Sequence, residues 1–249
     1  MAQIFNSNTE MKLFTRKLEA GRLFYGITIF LTLCLVVGCR PSEGHTGEIL
    51  SVAFLPDGTQ VVSSGDEGTI RLWDIRKDRE LRCFKGHTKS VLSIEVSPDG
   101  HYLLSGSGDG TVRLWDVDSG EELRRFQVNQ PVFCVAFSPD GRKVACGGQN
   151  RVVIVWESET GRELNRCIGH KGVIDSIAFT PDGLRLLSGS WDKTLYLWNV
   201  ESGQPIHQFT GHTDSVNCLG ISPDGKLAVS GSNGSAGRSV LNNTFVSTT

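Results

Sequence analysis

The chain has 249 residues, with 27 acidic against 25 basic side chains, a formal net charge of −2 and 39% hydrophobic residues. That length supports a sizeable core without disulfide staples, and the balance excludes a disordered tail or a broadly basic nucleic-acid surface. Glycine is over-used, 29 of 249 residues, against roughly 7% in average usage and with no collagen-like period, which points to many tight turns between short strands.

In chain order, residues 1–38 read as an export signal. Lys12, Arg16, Lys17 and Arg22 precede an apolar run from Leu23 to Cys39, whose strictly apolar-or-Thr part, Ile27 to Val37, is 11 residues long. A spanning helix needs about 20 apolar residues, so this core fits the apolar segment of a signal peptide; the full run also meets the lower edge of ~17–25 for a signal anchor. The run ends Leu35-Val36-Val37-Gly38-Cys39, which resembles the lipobox of bacterial lipoproteins. The resemblance implies a diacylglyceryl group on Cys39, cleavage before it, and residues 39–43 as a short tether. It also implies a location in the bacterial cell envelope, membrane-anchored and outside the cytoplasm. On the anchor reading the chain is instead a single-pass membrane protein with an N-terminal helix.

From residue 44 to 232 one unit recurs. Pro-Asp-Gly occurs at 56–58, 98–100, 139–141, 181–183 and 223–225, and Trp73, Trp115, Trp156 and Trp198 keep the same step of 41 or 42 residues. Gly-His stands at 44–45, 86–87, 169–170 and 211–212, with Gln127-Val128 at that place in the third unit. A period near ~42 is that of propeller blades. The boundaries fall at 44–85, 86–126, 127–168 and 169–210, with a partial fifth unit at 211–232 and a divergent tail at 233–249 that offers no second Trp-Asp and no recognisable fourth strand.

Each unit reads as strand, turn, strand, turn, strand, with a short fourth strand. In the third, Val132 to Phe137 is rich in β-formers, Pro139-Asp140-Gly141 supplies turn chemistry, and Lys143 to Cys146 returns. In the second, Thr111 to Asp116 and Leu123 to Phe126 complete the set. No helix-length periodic segment follows residue 40, so the fold class is all-β. Centring the third hairpin on Asp140 sets Cys134 opposite Cys146, either as two buried free thiols or as a bridge favoured by an oxidising compartment.

Four strands per unit, with Gly-His and Trp-Asp at its ends, resemble the WD40 repeat of β-propellers. The resemblance implies four complete blades, a truncated fifth and an incomplete ring. It also implies a buried histidine, serine, acid and tryptophan network in each blade: His45, Ser63, Glu67 and Trp73; His87, Ser105, Asp109 and Trp115; His170, Ser188, Asp192 and Trp198; and His212 with Ser230 in the partial blade. The third blade keeps only Trp156, with Val128, Cys146 and Asn150 at the other positions.

The same resemblance implies that a protein or peptide partner meets the top face. There it would touch Glu48, Leu50, Asp66, Ser90, Leu92, Phe133, Gln149, Asp175, Trp191 and Asn217. Trp191 stands outside the tryptophan register, as a partner anchor or as packing over its turn.

Histidine, serine and aspartate together also match a hydrolase triad, but a catalytic set occurs once in a cleft, whereas this one returns at the repeat spacing in blades two and four, and with glutamate in blade one. Gly106 to Gly110 lacks the helix that a phosphate loop needs. The six histidines are spread along the units, never more than two to a unit, with no Cys-x-x-Cys spacing, so no metal, cofactor or small-molecule substrate is expected. The sequence thus predicts a non-enzymatic interaction scaffold tethered to a membrane. The alternative is an accessory propeller or fragment of a larger enzyme whose catalytic part lies elsewhere.

Overall fold

A computed structural model of the chain describes residues 44–233 and the backbone pairing of 246–247. The export signal, Cys39, the tether and most of the tail lie outside the described residues. Among the described residues there is no helix, and so none long and apolar enough to cross a membrane.

Blade one holds β1 (Ile49–Phe54), β2 (Gln60–Gly65), β3 (Ile70–Asp74) and β4 (Arg79–Phe84). Blade two holds β5 (Val91–Val96), β6 (Tyr102–Ser107), β7 (Thr111–Asp116) and β8 (Glu122–Gln127). Blade three holds β9 (Val132–Phe137), β10 (Lys143–Gly148), β11 (Val152–Glu157) and β12 (Glu163–Ile168). Blade four holds β13 (Ile174–Phe179), β14 (Arg185–Ser190), β15 (Leu195–Asn199) and β16 (Pro205–Phe209). Each is a four-stranded antiparallel sheet in chain order. Blade five has β17 (Val216–Ile221), β18 (Leu227–Ser232) and a two-residue β19 (Val246–Ser247) paired to β18. The tail therefore adds a third strand to the truncated blade, which its composition did not reveal.

The first hairpin of each blade turns on Pro-Asp-Gly for a local reason. Glycine takes the left-handed region, with φ of 66° at Gly58 and 69° at Gly141. The preceding aspartate accepts the amide two residues on, as Asp140 Oδ1 does from Arg142 N at 3.0 Å. The turn also overturns the expected facing of two thiols. The ladder pairs Phe137 with Val144, Cys146 with Val135 and Cys134 with Gly147. The loop is one residue longer than a turn centred on Asp140 allows, and a one-residue slip sends a side chain to the opposite face. Cys134 and Cys146 therefore lie on opposite faces of blade three, packed into different clusters, and both are free thiols.

The core sits between blades, not inside them. Val62, Ile70 and Phe84 of blade one pack with Val91, Leu103 and Trp115 of blade two. Leu104 and Phe126 of blade two pack with Val135, Phe137 and Trp156 of blade three. Ala145 and Val153 of blade three meet Ile174, Phe179 and Trp198 of blade four, and Leu187 and Leu197 of blade four meet Val216 and Ala228 of blade five. Each blade thus has a leading face turned to the next blade and a trailing face turned to the one before. The approach is close: a Cβ on Gly147 would stand 2.5 Å from Ile174, and one on Gly106 2.6 Å from Val132.

The innermost strands leave unpaired amides along one edge, a cost that neighbours remove. Ile94 N donates to Ser51 Oγ at 3.3 Å, Val135 N to Ser93 Oγ at 3.2 Å and Phe137 N to Glu95 Oε2 at 2.8 Å. Glu95 is the odd member, since Ala53, Ala136, Ala178 and Gly220 hold its position in the other blades. Burial pushes its carboxyl up to about 7, against the opposing pull of the Phe137 amide. A carboxyl raised above its unfolded value of 4.5 favours the protonated fold, so stability is full below that value and falls as pH rises through 7. Glu95→Gln, which keeps the acceptor and removes the charge, is expected to raise the melting temperature at pH 8 and leave it unchanged near pH 4.5. Equal shifts at both pH values in thermal denaturation would contradict this.

Candidate functional site

The histidine, serine, acid and tryptophan positions meet as chains of hydrogen bonds. In blade two, Trp115 Nε1 donates to Ser105 Oγ at 2.9 Å; His87 Nε2 lies 2.8 Å from the same hydroxyl and His87 Nδ1 2.8 Å from Asp109. Blade four repeats it: Trp198 Nε1 to Ser188 Oγ at 2.8 Å, His170 Nε2 to that hydroxyl at 2.8 Å, and His170 Nδ1 to Asp192 at 2.9 Å. Burial lowers the pKa of His87 and His170 more than their aspartates restore it, so both rings are neutral near pH 7. One proton arrangement then uses each donor once: indole N–H to serine, serine O–H to Nε2, and Nδ1–H to carboxylate. Burial works to raise Asp109 and Asp192, yet hydrogen bonds from Thr111, His87 and Thr88, and from Thr194, Lys171 and His170, hold both at about 2.

Chemistry at these serines is closed off by access. Ser63, Ser105 and Ser188 are fully buried, each already bound to an indole. Blade one accepts its longer acid: Glu67 takes hydrogen bonds from His45 Nδ1 and Thr69, and Ser63 Oγ lies 2.7 Å from His45 Nε2. In blade five Ser232 substitutes for the acid, 2.9 Å from His212 Nδ1, with Ser230 2.7 Å from Nε2. Blade three has apolar Val128 and Cys146 there, and Phe126 packs on Trp156 with ring centres 5.1 Å apart. Among the described residues no group of His, Cys, Asp and Glu could hold a metal ion.

The positions expected to meet a partner converge at one end of the sheets. Backbone bonds tie each entry loop to its neighbouring turn: Asp66 N to Glu48 O at 2.9 Å, Gly108 N to Ser90 O at 2.9 Å, Gln149 N to Pro131 O at 3.0 Å and Trp191 N to Val173 O at 2.9 Å. Glu48, Asp66, Gln149 and Trp191 are exposed there, and Ser90 is half-buried.

Leu50, Leu92, Phe133, Asp175 and Asn217 occupy one repeat position on the innermost strands. Each falls where the ladder skips a residue: between Ile49 and Ser51, Val91 and Ser93, Val132 and Cys134, Ile174 and Ser176, and Val216 and Cys218. A bulge re-aims the extra side chain out of the pleat. The ring so formed runs from apolar in blades one to three to polar in blades four and five. Asn217 Oδ1 is buried without a hydrogen-bond partner. Trp191, 38% exposed, stands edge-on to Phe133 of the previous blade, ring centres 6.0 Å apart at 65°.

Repeat counting placed these residues but missed two features. The bulges leave no mark in composition; their only signal is the constant offset from Gly-His. The second feature is a row of outer-strand side chains that clasp the following blade. Arg82 donates to the carbonyl oxygens of Asp118 and Ser119, Arg124 to those of Glu159 and Thr160, and Asn165 to those of Val200 and Glu201. Gly120 and Gly161 lie under this clasp, where a Cβ would come within 2.6 Å of Arg82 and 2.7 Å of Arg124.

The family described as "WD domain, G-beta repeat" matches residues 38–74, 78–116, 120–157, 161–199 and 203–236, well over half of the chain. Similar curated proteins include a guanine nucleotide-binding protein subunit beta of Oryza sativa subsp. indica, 42% identical over 45 residues, 18% of this chain and 12% of that protein. The target of rapamycin complex subunit LST8 of Saccharomyces cerevisiae is 42% identical over 43 residues, 17% of this chain and 14% of that protein. The ribosome biogenesis protein erb1 of Neurospora crassa is 44% identical over 39 residues, 16% and 5%. The matches thus span about one repeat, a small part of each relative's length.

Ser188→Ala would leave the Trp198 indole N–H and His170 Nε2 without a partner in a buried site. It is expected to cost about 2–3 kcal/mol in urea unfolding, since each unsatisfied buried group costs roughly 1–3 kcal/mol. Asn150→Ala, at the acid position of the blade without the chain, is expected to cost less than about 1 kcal/mol. Equal losses would show that the hydrogen-bond chain adds nothing to packing.

Proposed function

The chain belongs to the WD40-repeat family, and from that premise we propose that it is a non-catalytic scaffold that captures a polypeptide segment on the bulged end of its blades. The observation that carries this is the Phe133–Trp191 pair, held edge to face across two blades beside the ring of Leu50, Leu92, Asp175 and Asn217. A large apolar surface left in water at a convergent polar rim is what a binding hot spot requires. The apolar side of the ring takes an apolar side chain of the partner. The polar side, with Asp175, takes an N–H donor or a basic group, with Glu48 and Asp66 adding negative charge at the rim. Two relatives are by name subunits of larger assemblies, which agrees with a scaffold.

The reading also holds the propeller at a bacterial membrane from outside the cytoplasm, through a lipid on Cys39. It is supported by the basic flank, the 11-residue apolar core and Gly38-Cys39. Residues 40–43 reach at most about 14 Å at ~3.5 Å each, so blade one would ride close to the bilayer.

Panning a random-peptide library on the full chain tests the first part. Trp191→Ala is expected to weaken the selected peptides by at least ~2 kcal/mol without lowering the melting temperature, as a hot-spot aromatic does. Lost stability with unchanged binding would make Trp191 a packing residue. For the second part, metabolic fatty-acid labelling is expected in the native chain and absent in Cys39→Ser; equal labelling in both, or none in either, would refute the anchor.

A further inference from the structure

The turn between the second and third strands is built alike in blades one to four. It closes through Gly68 N on Gly65 O at 3.2 Å, Gly110 N on Ser107 O at 3.1 Å, Arg151 N on Gly148 O at 3.1 Å and Lys193 N on Ser190 O at 3.1 Å. Its last residue is left-handed in every case, with φ of 83° at Gly68 and Gly110, 62° at Arg151 and 72° at Lys193. Glycine adopts that backbone without cost, whereas a long side chain strains it. The other non-glycine residues there, Asp78 and Asn129, are of types that tolerate it. Blades three and four thus keep a cation where blades one and two show that glycine serves, and retained strain of this kind points to a function.

The strained position faces the entry loop of the next blade. A Cβ on Gly68 would stand 3.0 Å from the carbonyl oxygens of His87 and Lys89, and one on Gly110 3.1 Å from Gln130 N. By the same repeat position Arg151 starts beside the entry loop of blade four, which carries Lys171 where Thr46, Thr88, Asn129 and Thr213 stand elsewhere. Lys171 N donates to Asp192 Oδ2 at 2.7 Å, and Lys193 Nζ to Thr213 O at 2.9 Å, so the three cations follow one another along the rim. All three are exposed. Among the described residues no ion pair reaches them, although Arg71, Arg113, Arg125, Arg162 and Arg166 each have one. The carboxylate between them, Asp192, is already taken by His170, Thr194 and the Lys171 amide. Next to Arg151, Val152 pairs with Ile168. Ile168 is 70% exposed, where Lys85, Gln127 and Thr210 stand in the other blades.

We propose that the rim between blades three and four docks an acidic polypeptide segment, with its carboxylates on Arg151, Lys171 and Lys193 and an apolar side chain on Ile168. Charge selects this occupant. The same end exposes Glu48 and Asp66 on blade one, and the whole chain carries −2. An extended polyanion or an anionic membrane would meet repulsion beyond the patch, whereas a short segment ends within it. The patch includes neither Trp191 nor the bulged ring, so it stands apart from the ligand proposed there.

A displayed peptide library with Asp or Glu at alternate positions and random residues between them, panned on the full chain at physiological salt, tests this. Binders that carry an apolar residue among the acids are expected. Arg151→Gly is expected to weaken them at least tenfold while raising the melting temperature, because it removes the cation and relieves the backbone together. Ile168→Ser is expected to weaken them at least tenfold with an unchanged circular-dichroism spectrum, and Trp191→Ala to leave them bound. An absence of binders would overturn the proposal, as would binding indifferent to Arg151→Gly and Ile168→Ser. A melting temperature lowered by Arg151→Gly would make Arg151 a structural residue and also overturn it. Peptides lost with Trp191→Ala but held by Arg151→Gly would belong to the bulged end, which overturns this docking site and leaves that reading intact. Phosphatidylserine-containing vesicles are the second probe: vesicle binding that Arg151→Gly removes, with no peptide captured, would assign the patch to a membrane instead.

Discussion

A single antiparallel blade has two apolar faces and no means of burying either, and the structure is organised around the way its neighbours supply what it lacks. Every apolar cluster spans a gap between consecutive blades. The indole of Trp115 or Trp198 lies in the same gap as the innermost strand behind it, and glycines such as Gly106 and Gly147 let the next strand approach within contact of the backbone. Burial of this kind is nearest-neighbour, so stability accumulates blade by blade.

The indole, serine and histidine groups inside these gaps are tolerated because each is matched. The indole, serine, histidine and carboxylate form a directional chain in which each donor meets one acceptor, and neutral histidine is the protonation state that lets the chain run. Blade three shows the alternative solution. With valine and cysteine in place of histidine and serine, Val128 and Cys146 join Trp156 in one apolar cluster, and an apolar gap needs no network, as expected if well-packed hydrophobic residues can replace a buried polar set at little cost. The same economy explains Glu95, whose carboxylate serves one amide of β9 at the expense of its own ionisation.

The bulged end depends on an irregularity. A regular innermost strand would turn Leu50, Leu92, Phe133, Asp175 and Asn217 alternately into the gaps; the bulge at each takes that one residue out of alternation. Rigid blades thus carry variable side chains at a fixed position, and the ring can change from leucine to aspartate without disturbing the clusters beneath. Phe133 and Trp191 come from different blades, so their contact exists only because blades three and four are already packed.

The sequence by itself determined the repeat length, the all-β class, the strand order within a blade and the histidine, serine, acid and tryptophan of the hydrogen-bond chains in blades one, two and four, while Ser232 in the chain of blade five came from the structure. Those features rest on local turn chemistry and on a spacing that recurs. Val132 to Phe137, Pro139-Asp140-Gly141 and the constant offset between His87, Ser105 and Trp115 can all be read without knowing what lies across the gap. Only the tertiary structure decided the rest. The ladder slips by one residue relative to a turn centred on Asp140, which parts Cys134 from Cys146, because register is set by pairing along the whole strand. The bulges depend on how two strands of one blade pair, and the Arg82 and Arg124 clasps and the amide served by Glu95 depend on the neighbouring blade. A segment carries no record of what will be packed against it, and in this fold that neighbour decides which side chains are buried, which are paired and which are left exposed.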